Sequence, residues 1–237
     1  MTPWLSITIP TVVTLLASVA WLKLNDLLVA RGVMSGRLSR KLIHAGTGPI
    51  FVLCWLMFPD YPASRYAAAI IPLIITLKFA LVGLGIVHDQ AEIDSLTRDG
   101  DRREILKGPL FYGIAFVLIT IFYWMDNVIG IIALMMLCGG DGLADIVGRR
   151  VKSSVLPWSK GKSLAGSLAM FLGGFVFSIA IVQIFLMAGK LPGTLNAYLP
   201  GILIIGFVCT IVESLPTRDI DNITVTISAL LLGHIIF

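Results

Sequence analysis

Long apolar runs alternate with short polar stretches along the whole chain. A helix needs about 20 apolar residues to cross a bilayer. Eight runs approach that length: Leu5–Leu28, Leu42–Phe58, Tyr66–Val87, Leu110–Trp124, Val128–Val147, Leu164–Ala188, Leu199–Leu215 and Ile223–Phe237. The fourth and eighth are short, which predicts little tilt or a locally thinned bilayer. The pattern predicts an all-α, polytopic bundle in which residues 1–237 form one integral membrane domain.

The positive charges orient this bundle. Lys23, Arg31, Arg37, Arg40 and Lys41 fall at or between runs one and two, and Arg98, Arg102, Arg103 and Lys107 between three and four. Arg149, Arg150, Lys152, Lys160 and Lys162 lie between five and six, and Arg218 between seven and eight. Only Arg65 and Lys190 fall on the other side, with Lys78 inside run three. Cytoplasmic loops are enriched in Lys and Arg, so these four connections are expected in the cytosol and both termini outside it.

Composition agrees. Of 237 residues, 57% are hydrophobic and 14% charged, with a mean hydropathy of +0.93. Soluble domains carry about 25% charged residues, so a soluble core is excluded. The net charge of +4 sits mostly in loops, and no basic domain is available to lie on a nucleic acid. Cys54, Cys138 and Cys209 fall inside apolar runs without metal-ligand spacing and read as small core residues. No basic segment precedes the first run, so it is expected to be a retained span and not a cleaved signal.

The polar residues with chemical potential all gather on the basic side. The densest stretch runs from Gly139 to Ser167. Asp141 and Asp145 are four apart, so on a helix they share a face, about 6 Å apart along the axis. Carboxylates inside an apolar run are costly and are by default functional. A hard cation such as magnesium takes one or two carboxylates together with substrate phosphates and water. A polar contact between helices is the plainer alternative. Gly139, Gly140 and Gly142 allow close approach, either to a ligand or to a neighbouring helix.

Lys160, Gly161, Lys162 and Ser163 follow, and then Gly166 and Ser167. A lysine neutralises phosphate as a point charge, and a helix opening at Ser163 would itself attract an anion. Gly161-Lys162-Ser163 imitates the end of a P-loop, but that motif's first glycine position is Leu156, so a P-loop is rejected. Three further clusters lie on the same side. Arg40, Lys41 and His44 open run two, and His44 can face a phosphate or serve as an acid or base. Arg103, Glu104 and Lys107 lead along the membrane surface into run four. Glu213 closes run seven, with Asp221 and Asn222 at the start of run eight; a third acidic group could bind a second metal or take a proton. Asp219 reads as a solvated loop residue. A transporter using Asp141, Asp145 and Glu213 as intramembrane carboxylates is a rival, but a translocation path should be polar on both faces.

These motifs resemble the phytol kinase and farnesol kinase group, within the wider dolichol kinase and CDP-diacylglycerol synthase superfamily. The resemblance runs from about Arg40 to the C-terminus. It is carried by Gly140-Asp141-Gly142 with Ala144-Asp145 and Gly148-Arg149-Arg150, by Lys162 to Ser167, and by Val212 to Pro216 with Asp221-Asn222. Arg40-Lys41 with His44, and Leu106 to Leu110, also match. The resemblance implies transfer of the γ-phosphoryl group of a nucleotide, usually CTP, to the hydroxyl of an isoprenoid alcohol such as phytol, farnesol or geranylgeraniol. It also implies a nucleotide-binding region at about residues 139–167. Gly140, Gly142, Gly148, Arg149, Arg150, Lys160, Lys162, Ser163, Gly166 and Ser167 are its candidates for phosphate binding, and Asp141, Asp145, Glu213 and Lys162 its candidates for catalysis. Magnesium on Asp141 and Asp145 is the expected cofactor.

Two relatives fit less well. Cytidylyltransferases of the CDP-diacylglycerol synthase type are expected to carry a later signature with Pro-Gly-His-Gly-Gly, which is missing after Glu213. Dolichol kinases usually have Glu before the final Gly-Ser of the lysine motif, where this chain has Ala165. The sequence therefore leads to a prenol kinase whose site opens on the cytosolic face of the membrane.

Overall fold

The computed structural model describes residues 3–97, 100–216 and 220–237. Arg98, Arg218 and Asp219 of the sequence argument lie outside these residues. Every one of the eight apolar runs is helical. The first three are α1 (Pro3–Ala30), α2 (Gly36–Trp55) and α3 (Pro62–Leu84). A short surface helix, α4 (Gln90–Leu96), precedes a 3₁₀ turn at Arg102–Leu106 that leads into α5 (Gly108–Phe122). The fifth run is one continuous rod of three parts: α6 (Val128–Met135), a π-helical turn (Met136–Gly140) and α7 (Asp141–Arg150). α8 (Leu164–Met187), α9 (Leu195–Ser214) and α10 (Asp221–Ile236) complete the bundle.

Six of these segments are long and apolar enough to cross a membrane: α1, α3, residues 102–122, residues 128–150, α8 and α9. The other two predicted spans fall short of that standard for visible reasons. α2 carries Arg40, Lys41 and His44 in its first half, and α10 has only 16 residues. The protein is an integral membrane protein of helices. Its outer helices show lipid-compatible faces, with Leu16, Ile74, Leu118 and Leu231 exposed.

The rod of residues 128–150 is the axis of the bundle. Ile131 to Cys138 are completely buried, because α8, α10 and α2 close around them. At the end away from the basic loops, Trp55 and Trp124 pack with centroids 5.0 Å apart, and Lys190 donates to both Asp60 oxygens at 2.9 and 3.0 Å.

Lys78, which the hydropathy pattern left inside run three, lies near the basic end of α3 and reaches back to Asp89 at 2.9 Å and to Glu92 of α4. Its hydrogen bond, with a second from the Glu92 N–H, holds the Asp89 carboxyl below the usual carboxylate range. The connection between the fifth and sixth spans is also more ordered than a basic link. It contains an antiparallel hairpin of β1 (Val155–Leu156) and β2 (Ser159–Ser163), with Val155 opposite Ser163 and Leu156 opposite Ser159. A five-residue polar strand carries no apolar alternation, so periodicity could not reveal it.

Candidate active site

The π turn places the first aspartate. Asp141 N–H bonds to the carbonyls of Met136 and Cys138 and bypasses that of Leu137, the partner an α-helix would use. The Leu137 carbonyl instead meets His44 Nε2 of α2 at 3.1 Å. The same nitrogen lies 3.2 Å from Asp141 Oδ2. Both neighbours are acceptors, so Nε2 carries the proton. His44 is fixed from behind as well: Tyr112 of α5 packs against its ring at 4.4 Å, tilted by 37°, and donates to its carbonyl oxygen at 2.9 Å. Tyr112 also lies 3.2 Å from Cys138 Sγ. π turns interrupt helices most often at functional sites, and this one holds a buried carboxylate against an imidazole.

One turn on, Asp145 faces the same helix α2. Its Oδ2 lies 3.8 Å from Lys41 Nζ, and its Oδ1 accepts from Arg149 Nε at 2.7 Å. The next contributor is β2. Lys162 reaches the end of α9, where its ammonium bonds Glu213 Oε1 at 2.6 Å and the Glu213 carbonyl oxygen. Glu213 is buried and Lys162 partly so. Trp158, at the hairpin tip, donates to Ser214 Oγ at 3.2 Å. Two contacts therefore clamp the hairpin to α9. Lys41, His44 and Lys162 are all electrostatic neighbours of Asp141, and Asp221 of α10 senses Asp141, Lys162 and Lys41. Residues from α2, α7, β2, α9 and α10 thus converge at the basic end.

The lysine motif ends as its sequence suggests. Ser163 is the N-cap of α8; its hydroxyl accepts from Gly166 N–H at 3.3 Å and donates to the Gly148 carbonyl at 3.3 Å. Ser167 Oγ is buried and has no hydrogen-bond partner among the described residues. The glycines divide differently from a ligand cradle. A Cβ on Gly142 would lie 2.7 Å from the Ala45 Cβ, and one on Gly148 would lie 3.2 Å from the Gly166 Cα. Gly140 faces Met170 in the same way. Of the two alternatives open for these glycines, close helix packing is the one their contacts occupy.

The remaining candidates lie further out. Arg40 donates to the Thr97 carbonyl at 3.1 Å and ties α2 to the end of α4. Arg103 is exposed on the 3₁₀ turn, its N–H bonded to Asp101; Glu104 and Lys107 lie on the same surface segment. Asn222 is buried and donates to the Gly108 carbonyl at 2.9 Å, which joins α10 to α5. Lys160, Arg149 and Arg150 are exposed. Sequence reasoning did not find Tyr112 or Trp158, since each acts through a long-range contact with no local motif, and it gave Ser214 no role of its own within the Val212 to Pro216 motif.

Among the described residues, no three His, Cys, Asp or Glu side chains come together as a cation site. Glu213 is taken up by Lys162 and does not join the aspartates. The pair with donors of the right kind for a hard cation is Asp141 and Asp145, one turn apart on α7; in this structure His44 meets the first, and Lys41 and Arg149 meet the second.

The arrangement of paired carboxylates and lysines suits phosphate chemistry, and sequence comparison gives the family of the chain. Phytol kinase 1, chloroplastic, of Arabidopsis thaliana is 41% identical over 212 residues, covering 89% of this chain and 70% of that protein. A probable phytol kinase 1, chloroplastic, of Glycine max is 39% identical over 214 residues, 90% of this chain and 71% of the relative. Farnesol kinase, chloroplastic, of Arabidopsis thaliana is 40% identical over 209 residues, 87% and 68% respectively. The chain belongs to the phytol kinase and farnesol kinase family. No protein-family model and no solved structure matches it. For a member of the phytol and farnesol kinase family, the convergence of Asp141, Asp145, Lys41, His44, Lys162 and Glu213 at one end of the bundle marks the candidate active site.

Proposed function

We propose that this protein is a prenol kinase that transfers the terminal phosphoryl group of a nucleoside triphosphate, CTP by family resemblance, to the hydroxyl of an isoprenoid alcohol. The relatives are named for phytol and farnesol, and the observation that carries the reading here is the buried Asp141 facing His44, with the Lys41–Asp145 and Lys162–Glu213 pairs at the same basic end of a membrane bundle. The loop charges support a site on the cytosolic face, or the equivalent face of an organelle membrane.

In this mechanism the alcohol lies in the bilayer with its tail between helices and its hydroxyl at the interface. Its oxygen attacks the γ-phosphorus in line as the bond to the β–γ bridging oxygen breaks. The nucleoside diphosphate leaves, and the hydroxyl proton passes to a carboxylate of the cluster, for which Glu213 is placed beside Lys162. Phosphoryl transfer needs mainly positioning and neutralised charge. Lys41, Lys162 and Arg149 supply fixed cations. Asp141 and Asp145 would hold magnesium. Bound there, the ion would neutralise charge on the phosphates.

The test is a transfer assay on the purified protein. It crosses γ-labelled CTP, ATP, GTP and UTP with phytol, farnesol, geranylgeraniol and dolichol, with and without magnesium. Label in a prenyl monophosphate is the expected result and names both substrates. A CDP-lipid formed from α-labelled CTP and phosphatidic acid, without any prenyl phosphate, would overturn it.

A further inference from the structure

The contacts between α2 and α7 form a charge ladder. The helices run antiparallel, and facing residues step by one turn on each. The first rung sets His44 against Asp141 and the second sets Lys41 against Asp145. One turn further toward the basic face, α2 presents Arg37 and α7 presents Arg149, with Arg150 beside it. There the alternation fails and cations face cations. Between them lies a cleft of about 150 Å³, lined by Arg37, Lys41, Asp145, Arg149 and Arg150.

The bias of positive loops accounts for cations on this face. It does not account for their convergence, from two helices, on one concavity. Among the described residues, Asp145 is the one carboxylate lining the cleft, and it is already engaged by Lys41 and Arg149. Among the described residues, Arg37 and Arg150 have no carboxylate partner. Like charges across a cleft repel, and an oxyanion placed between them turns that repulsion into attraction. Guanidinium groups match phosphate oxygens in pairs.

We propose that this third rung is a phosphate subsite, with Arg37 as a binding residue, and that it holds a phosphate of the nucleotide donor. The proposal deepens the kinase reading and rests on it for the identity of the phosphate. Asp145 lines the cleft, so a phosphate there lies directly beside the aspartate pair. The same oxyanion chemistry could instead come from a phospholipid headgroup.

The experiment compares the full chain with Arg37→Gln and Arg37→Lys, and with Arg31→Gln as the control. Arg31 is exposed in the α1–α2 connection and does not line the cleft. Two readouts are taken: KM and kcat with CTP, and the thermal shift produced by inorganic pyrophosphate. Arg37→Gln is expected to raise the nucleotide KM about tenfold, the loss of one charge-assisted contact. Its kcat should stay within about twofold, as for lost uniform binding. Its pyrophosphate shift should vanish, Arg37→Lys should recover part of both effects, and Arg31→Gln should match the wild type. If Arg37→Gln keeps its KM but loses a stabilisation seen in nanodiscs containing phosphatidylglycerol and not in phosphatidylcholine alone, the occupant is a lipid headgroup and the nucleotide assignment falls. If Arg37→Gln matches Arg31→Gln in every readout, the subsite falls altogether. A wild type stabilised by pyrophosphate that phosphorylates no alcohol would overturn the kinase reading and leave the subsite standing.

Discussion

Asp141 is a buried carboxylate held by the His44 imidazole at the end of a π turn, with Lys41 and Lys162 engaged on Asp145 and Glu213 at the same end of the bundle. Burial of a carboxylate is unfavourable without a compensating partner, and His44 supplies one across the α2–α7 contact. Asp141→Asn keeps the shape and removes the charge. It should lower kcat by about a hundredfold or more, the scale of losing one charged contact to the transition state. Circular dichroism should show the helices intact, and near-normal turnover would remove Asp141 from the chemistry. Lys162 and Glu213 make a different prediction, one of stability. Breaking a mostly buried ion pair from one side leaves an uncompensated charge and costs about 3–5 kcal/mol. Lys162→Met should therefore lower the unfolding midpoint in detergent more than Lys162→Met with Glu213→Gln together. Equal losses would show that the charge left on Glu213 is not what costs the stability.

At the scale of elements, the π turn and two helix contacts decide where the site residues stand. The π turn frees the Leu137 carbonyl for His44, and Tyr112 holds the ring from the other side. His44→Ala should cost about tenfold in turnover or more, the size of a hydrogen bond to a charged group. His44→Gln, which keeps a donor, should recover part of it; equal activity in both variants would show that the contact to Asp141 is idle. The glycines set how closely α7 approaches its neighbours. Gly142→Ala would bring a Cβ within 2.7 Å of the Ala45 Cβ. Overpacking of this kind costs about 1–3 kcal/mol, so the variant should lose thermal stability and activity together. An unchanged melting temperature would mean that α2 can move away at little cost.

The whole molecule separates two ends. Lys41, Asp141, Lys162 and Glu213 gather at one, and the Asp60–Lys190 pair closes the other. In sealed vesicles, an impermeant thiol reagent should therefore label Gly161→Cys and Asp60→Cys from opposite faces. The native Cys54, Cys138 and Cys209 are buried and should give little background. Labelling of both from one face would overturn the bundle's orientation of loops.

Much of this was legible in the sequence. The eight apolar runs became helices because a span must satisfy all its backbone groups internally, so length and apolarity suffice to locate it. The spacing of Asp141 and Asp145 put both on one face of α7, and Ser163 opened α8, because these are local consequences of helical geometry. Other features depended on partners distant in the chain. The hairpin exists because Lys162 and Trp158 find Glu213 and Ser214 more than fifty residues later. The π turn is held by His44, far back in α2. The glycines around Asp141 could serve a ligand or a helix until Ala45, Met170 and Gly166 were seen against them. Arg37 looked like one more orienting charge until α7 brought Arg149 and Arg150 to the same cleft. The sequence alone determined which segments are helical and which carboxylates share a face, because those follow from neighbours within a turn or from the cost of exposing backbone to lipid. Only the tertiary structure decided which cation meets which carboxylate, because pairing depends on the approach of helices whose sequence separation carries no periodic signal.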